Sequence, residues 1–324
     1  MPTDTPRLLH RLALAMLATA VLPILFGALT TTKEAGMAFP DWPSSDGQGM
    51  FAYPWLRSVG DKFLEHGHRL AGVLIGVVSI AVVVVAGVVE RRGWVKVLAG
   101  SILLCVIAQG LLGGQRVLLN ARGLAFVHGS FAALVFGLMG ALAVVTSRGW
   151  FSALTRVDGD IEEGPNRGAD LDKLKWLATA TMVVLFVQYV LGGLVRHHGL
   201  VLYEHVGGAM VSFLMTVFLA GGSAMGPSQW LKAPAFGLAL AIMFQLFLGL
   251  GAWVTKFGMP GFVDVVVAQS PWQVFFRTAH VLGGMLVFLM ATVLTLRIWR
   301  LAGATRGVAV VTGSRELVTS GGRA

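Results

Sequence analysis

The stretch EHGHRLAGVLIGVVSIAVVVVAGVV, residues 65–89, decides the fold. After Arg69 it runs for 20 residues without a charge, about what a helix needs to cross a bilayer's hydrocarbon core. Working outward, seven more such runs appear, giving eight near 11–30, 68–89, 95–115, 124–146, 176–195, 203–223, 232–254 and 278–300. The chain has 324 residues, 56% hydrophobic and 13% charged, against about 25% charged in an ordinary soluble domain. That composition excludes disorder and argues against a water-soluble fold. Its 42 glycines follow no strict period, which excludes collagen and fits close helix contact in a bilayer. The net charge of +9 comes without a Lys/Arg-rich run, so it reads as membrane topology and not as nucleic-acid binding. The single cysteine, Cys105, excludes an intrachain disulfide or a multi-thiolate metal site.

The first run follows Arg7, His10 and Arg11. It reads as a retained helix, because it is long and no convincing small-residue cleavage site follows it. With a cytoplasmic N-terminus, the inner segments hold 16 Lys and Arg and the outer segments and helix mouths 9. Both termini are therefore expected in the cytoplasm, and even-numbered helices begin outside. Residues 31–64 form an outer loop rich in Trp and Tyr, containing Pro40-Asp41-Trp42-Pro43. Residues 147–175, with Asp158, Asp160, Glu162 and Glu163, form the longest inner loop. The expected organisation is an all-α polytopic membrane protein of two tandem four-helix bundles, 1–146 and 176–300. The 147–175 linker joins them, and a frayed cytoplasmic tail covers 301–324.

An internal repeat supports that division. Gln109-Gly110-Leu111-Leu112-Gly113-Gly114 resembles Gln188-Tyr189-Val190-Leu191-Gly192-Gly193, with a third copy at Gln245-Leu246-Phe247-Leu248-Gly249. The region around His128 aligns with that around His280, and His68 pairs with His205. Helix packing is the plain explanation of the paired glycines. It does not cover the histidines.

His68, His128, His205 and His280 each open an even-numbered helix, which places four imidazoles at one depth, two per bundle. Polar groups at membrane depth are costly and demand a partner. Zinc wants four ligands, and a di-iron site wants a second Glu-x-x-His motif that this chain lacks. Haem needs only two axial ligands, so one bis-His haem per bundle is the economical reading. His66 points to another face than His68, and His197 and His198 read as solvated or beside a haem edge. Arg69, Arg116, Arg122, Arg196 and Arg277 gather at the same helix ends and are candidates to bind haem propionates; interfacial snorkelling is the alternative. Glu65 stands three residues before His68, whereas Leu202, Arg277 and Ala125 occupy that place before the other three. A carboxylate beside an axial ligand can act as acid or base, or it can simply satisfy the helix dipole. The asymmetry points to chemistry in the first bundle and electron storage in the second.

These residues together resemble the haem A synthase family, membrane enzymes of cytochrome oxidase assembly. The resemblance covers roughly residues 10–300 and rests on Pro40-Asp41-Trp42-Pro43, Glu65-x-x-His68-Arg69, the Gly-Gly helix ends, and His128, His205 and His280. It implies an oxidoreductase of the bacterial plasma membrane that oxidises the C8 methyl of haem O to a formyl group, giving haem A. Two hydroxylations of that methyl and loss of water would yield the aldehyde. It further implies haem O between His68 and His128 with Glu65 catalytic, and haem b between His205 and His280 as relay. The implied partners are haem O synthase, the oxidase assembly machinery, a redox partner and the bilayer, with homo-oligomerisation open. Many bacterial members carry an outer-loop cysteine pair; Ser44 and Ser45 follow Pro43 here, which removes a thiol-assisted step. A non-catalytic dihaem cytochrome b serving a quinone or periplasmic acceptor shares the ligands; a transporter or haem-delivery protein with no redox role is the third reading.

Overall fold

A computed structural model describes residues 7–157, 167–226, 228–261 and 265–320. Among them are nine α-helices: α1 (Arg7–Thr32), α2 (Gly60–Val89), α3 (Gly93–Leu118), α4 (Arg122–Val145), α5 (Arg148–Val157), α6 (Arg167–His198), α7 (Leu202–Met225), α8 (Gln229–Phe257) and α9 (Pro271–Ser320). All except α5 are long and apolar enough to cross a membrane, and seven of them contain one of the eight expected runs whole, while α4 ends one residue short of 146. The only β pairing among the described residues is an isolated bridge between Ser45 and Gln48.

Some hydroxyls inside the spans return their hydrogen bonds to the helix that carries them, while Thr295 of α9 donates to the Ala178 carbonyl of α6. Ser79 donates to the Ile75 carbonyl, Thr181 to Leu177 and Thr292 to Phe288. In lipid no water can replace those partners. The apolar residues that remain exposed on α3, α7 and α8 need none, since lipid tails solvate them as well as protein does.

Two segments differ from expectation. The 147–175 stretch is helical in α5 and again from Arg167, and α9 continues through the expected tail to Ser320. Helix α5 packs against α9. The acidic residues Asp158, Asp160, Glu162 and Glu163 lie outside the described residues.

Helix neighbours run α1–α2–α3–α4 and back to α1, and α6–α7–α8–α9 and back to α6. Helices α4 and α9 are the most enclosed spans, half and 44% buried against 17–28% elsewhere, and they pack on each other. Small residues permit that approach: the Phe288 ring covers Gly137, and Leu289 covers Gly140.

Candidate functional site

The four histidines of the repeat meet in pairs, His68 of α2 with His128 of α4 and His205 of α7 with His280 of α9. The ring centroids are 6.0 Å and 6.1 Å apart, and the ring planes cross at 82° and 86°. Two imidazoles that share one metal, each about 2 Å from it, have centres about 6 Å apart. Among the described residues no group of three or more His, Cys, Asp or Glu could hold a metal ion, so the donor set fits a metal that brings its remaining ligands with it.

Each ring lies on a glycine of the preceding span. A Cβ on Gly27 would stand 2.9 Å from the His68 Cε1, on Gly192 2.9 Å from that of His205, and on Gly249 3.0 Å from that of His280. At Gly113 the gap to His128 is 3.4 Å. In all four the ring's Cε1 edge faces the glycine. The second glycine of two of the pairs serves packing: the Trp42 ring covers Gly114 and Phe126 covers Gly193. Four residues before three of the ring-bearing glycines, a glutamine side-chain amide donates to the carbonyl of the facing histidine. These bonds join Gln109 to His128, Gln188 to His205 and Gln245 to His280. Pro23 holds that place before Gly27, and its carbonyl accepts a 2.9 Å bond from His68 Nδ1. A carbonyl only accepts, so His68 carries its proton on Nδ1 and leaves Nε2 free as a metal ligand. The Nδ1 atoms of His128 and His280 are buried without a partner among the described residues. In three of the four spans the glutamine stands four residues before the ring-bearing glycine, and that spacing is the signal of the notch in the sequence.

Glu65 is buried. Its Oε1 accepts from Arg69 at 2.7 Å, and its Oε2 from the amides of Ala38 at 2.7 Å and Phe39 at 3.4 Å. Arg69 also donates to the carbonyls of Asp41 and Ser44 and lies over the Phe39 ring. His66, fully buried, meets Ser45 at 2.9 Å and packs beside Phe39 and Tyr53. Glu65, His66 and Arg69 thus fasten the 31–64 loop to α2. The loop's own turn closes on Asp41, whose carboxylate accepts from the amides of Asp46 and Gly47. Slight burial acts upward on the Asp41 carboxyl, but bonds from Ser44 and these amides outweigh it and hold it below its ordinary range.

The remaining arginines divide between the pairs. Arg116 of α3 bonds the Gly36 carbonyl and lies within electrostatic reach of His68 and His128. Arg196 of α6 donates to Ala28 and Thr32 of α1 and lies within reach of Arg277 and His280. Arg122 is exposed at the start of α4. His197 lies against Gly129 and His198 against Phe126, both contacts joining α6 to α4.

A family model described as cytochrome oxidase assembly protein, COX15-CtaA, matches residues 56–205. A heme A synthase of Symbiobacterium thermophilum is 30% identical over 194 residues, covering 59% of this chain and 60% of that protein. A heme A synthase of Methylobacterium nodulans is 32% identical over 147 residues, 41% and 40% of the two chains. The chain thus spans less than two thirds of the length of these relatives. No solved structure matches.

Proposed function

We propose, from the match of the COX15-CtaA cytochrome oxidase assembly model to residues 56–205 and the likeness to heme A synthases, that the chain is a haem A synthase, oxidising the C8 methyl of haem O to a formyl group. The observation that carries this reading is the pair of matched imidazole sites, each 6 Å across and each notched into glycine. The two rings of neighbouring helices read as tandem bundles, 1–146 and 176–300, with the histidine end outward as the Lys and Arg distribution expects.

The substrate haem sits between His68 and His128. Haem b, held by His205 and His280, supplies one-electron storage. Arg116 serves the propionates of the first site, and Arg196 and Arg277 those of the second. Glu65 is the acid–base residue. Its Oε2 is held by the amides of Ala38 and Phe39, so the same carboxylate also fastens the loop that covers this end of α2. Haem O synthase, the oxidase assembly machinery and a redox protein are the partners this role requires, in the bacterial plasma membrane.

Extraction of the bound pigments tests the reading. The purified protein is expected to yield a farnesylated haem together with haem b. Haem b alone would turn the reading to an electron-carrying dihaem cytochrome, and absence of any low-spin signal to haem delivery.

A further inference from the structure

The two sites differ in what the opposite half presents to them. Helices α1 and α6 occupy matching places, Gly27 under His68 and Gly192 under His205. Five residues beyond each glycine stand Thr32 and His197. Thr32 is buried at α9, where it meets Thr278 at 3.2 Å and Arg196 at 2.9 Å. In both contacts its Oγ1 accepts from a group of the protein. His197 reaches α4 beside the other site. Its Nε2 would stand 3.7 Å from a Cβ on Gly129, the residue after His128, and it lies within electrostatic reach of Arg116 and His128.

Arg116 has no counterpart in the second half either: three residues beyond Gly113 it is arginine, and three beyond Gly249 it is Ala252. The nearby carboxylate, Glu65, is committed to Arg69 and the loop amides. The first site therefore has two nitrogen donors, one from each half of the chain, with no carboxylate of the protein bonded to them among the contacts of the described residues. Donors left in this state at a membrane interface suit an anionic oxygen ligand.

We propose that His197 is a positioning residue of the first site: with Arg116 it binds a carboxylate of the porphyrin held between His68 and His128, so that the second half of the chain completes the site of the first. This inference rests on the haem reading above.

The test uses the full-length protein carrying His205→Ala and His280→Ala, so that the first pair alone takes up a porphyrin. Free-acid haemin and haemin dimethyl ester are titrated into it, with the low-spin Soret band as signal. The free acid is expected to bind more tightly. His197→Phe is expected to weaken the free acid about tenfold, the scale of one hydrogen bond to a charged group, and to leave the ester unchanged. His197→Gln, which keeps an N–H donor, is expected to restore part of the difference. Equal weakening of both porphyrins, or of neither, would overturn the role of His197 and leave the axial pair standing. No low-spin band with either porphyrin, in a protein that runs as a single species in detergent, would overturn the axial pair and this inference with it.

Discussion

Glycine under an imidazole is the smallest unit of this architecture, and its tolerance differs between positions. A methyl on Gly192 or Gly249 would come within 2.9–3.0 Å of a histidine ring, so the ring or the helix must move. Gly113→Ala meets His128 at 3.4 Å, an ordinary contact. Gly249→Ala is therefore expected to abolish or distort the low-spin signal of the second pair, and Gly113→Ala to preserve that of the first, both read in reduced-minus-oxidised spectra. Glu65 carries a different prediction. Deleting one member of a buried ion pair leaves the other uncompensated, at roughly 3–5 kcal/mol. Glu65→Ala is therefore expected to lower the thermal midpoint, while Glu65→Gln, which keeps hydrogen-bonding capacity toward Arg69, loses less. Glu65→Gln is expected to retain haem yet accumulate haem O or the alcohol intermediate; a normal haem A yield would remove Glu65 from the chemistry. The glutamate was visible in the sequence by its offset from His68. Its fastening to Ala38 and Phe39 was not, because those amides lie 26 and 27 residues away and are brought up only by the loop's own turn.

Elements act here as carriers of register. A span that places Gln four residues before a ring-bearing glycine meets its neighbour at two heights at once, through the notch and through the amide. Three copies could be read from the sequence. The fourth could not, since Pro23 replaces glutamine and supplies a backbone carbonyl in place of a side-chain amide. Gln245→Ala is expected to cost about 1 kcal/mol, the usual net worth of one hydrogen bond, read as a fall in the thermal midpoint. The 31–64 loop is the element most sensitive to acid. The Asp41 carboxyl titrates below its ordinary range, so its clamp contributes stability above the unfolded value and loses it as pH falls through the depressed one. Protease cleavage within 46–59 is expected to accelerate over that acid window, and Asp41→Asn to show faster cleavage already at neutral pH. A pH-independent cleavage rate would count against the clamp.

At the scale of the molecule, the halves meet through α4 with α9, α4 with α6 and α1 with α9. Arg196 and Thr32 tie α6, α1 and α9 together near the histidines, and the glycines of α4 admit Phe288 and Leu289 of α9 deeper in the membrane. Gly140→Leu places a side chain where Leu289 already stands. Overpacking of this kind costs about 1–3 kcal/mol. It is expected to lower the thermal midpoint in detergent while leaving both low-spin signals, because neither pair of histidines touches that contact. Loss of one haem signal along with the midpoint would show that the α4–α9 contact also sets the height of the rings.

The sequence by itself determined the eight spans, the placing of one histidine of the repeat on each even-numbered span and their two-by-two repeat. Those features are local: a charge-free run of span length has one favourable solvent, and helical spacing places a residue along an axis without reference to any other helix. Only the tertiary structure decided that the imidazoles cross at near right angles 6 Å apart, that glycines serve as their notches, that Arg69 holds the loop, and that His197 leans on the other half. Each of these depends on how two helices rotate and slide against each other. That choice is made by side-chain packing among residues far apart in the chain.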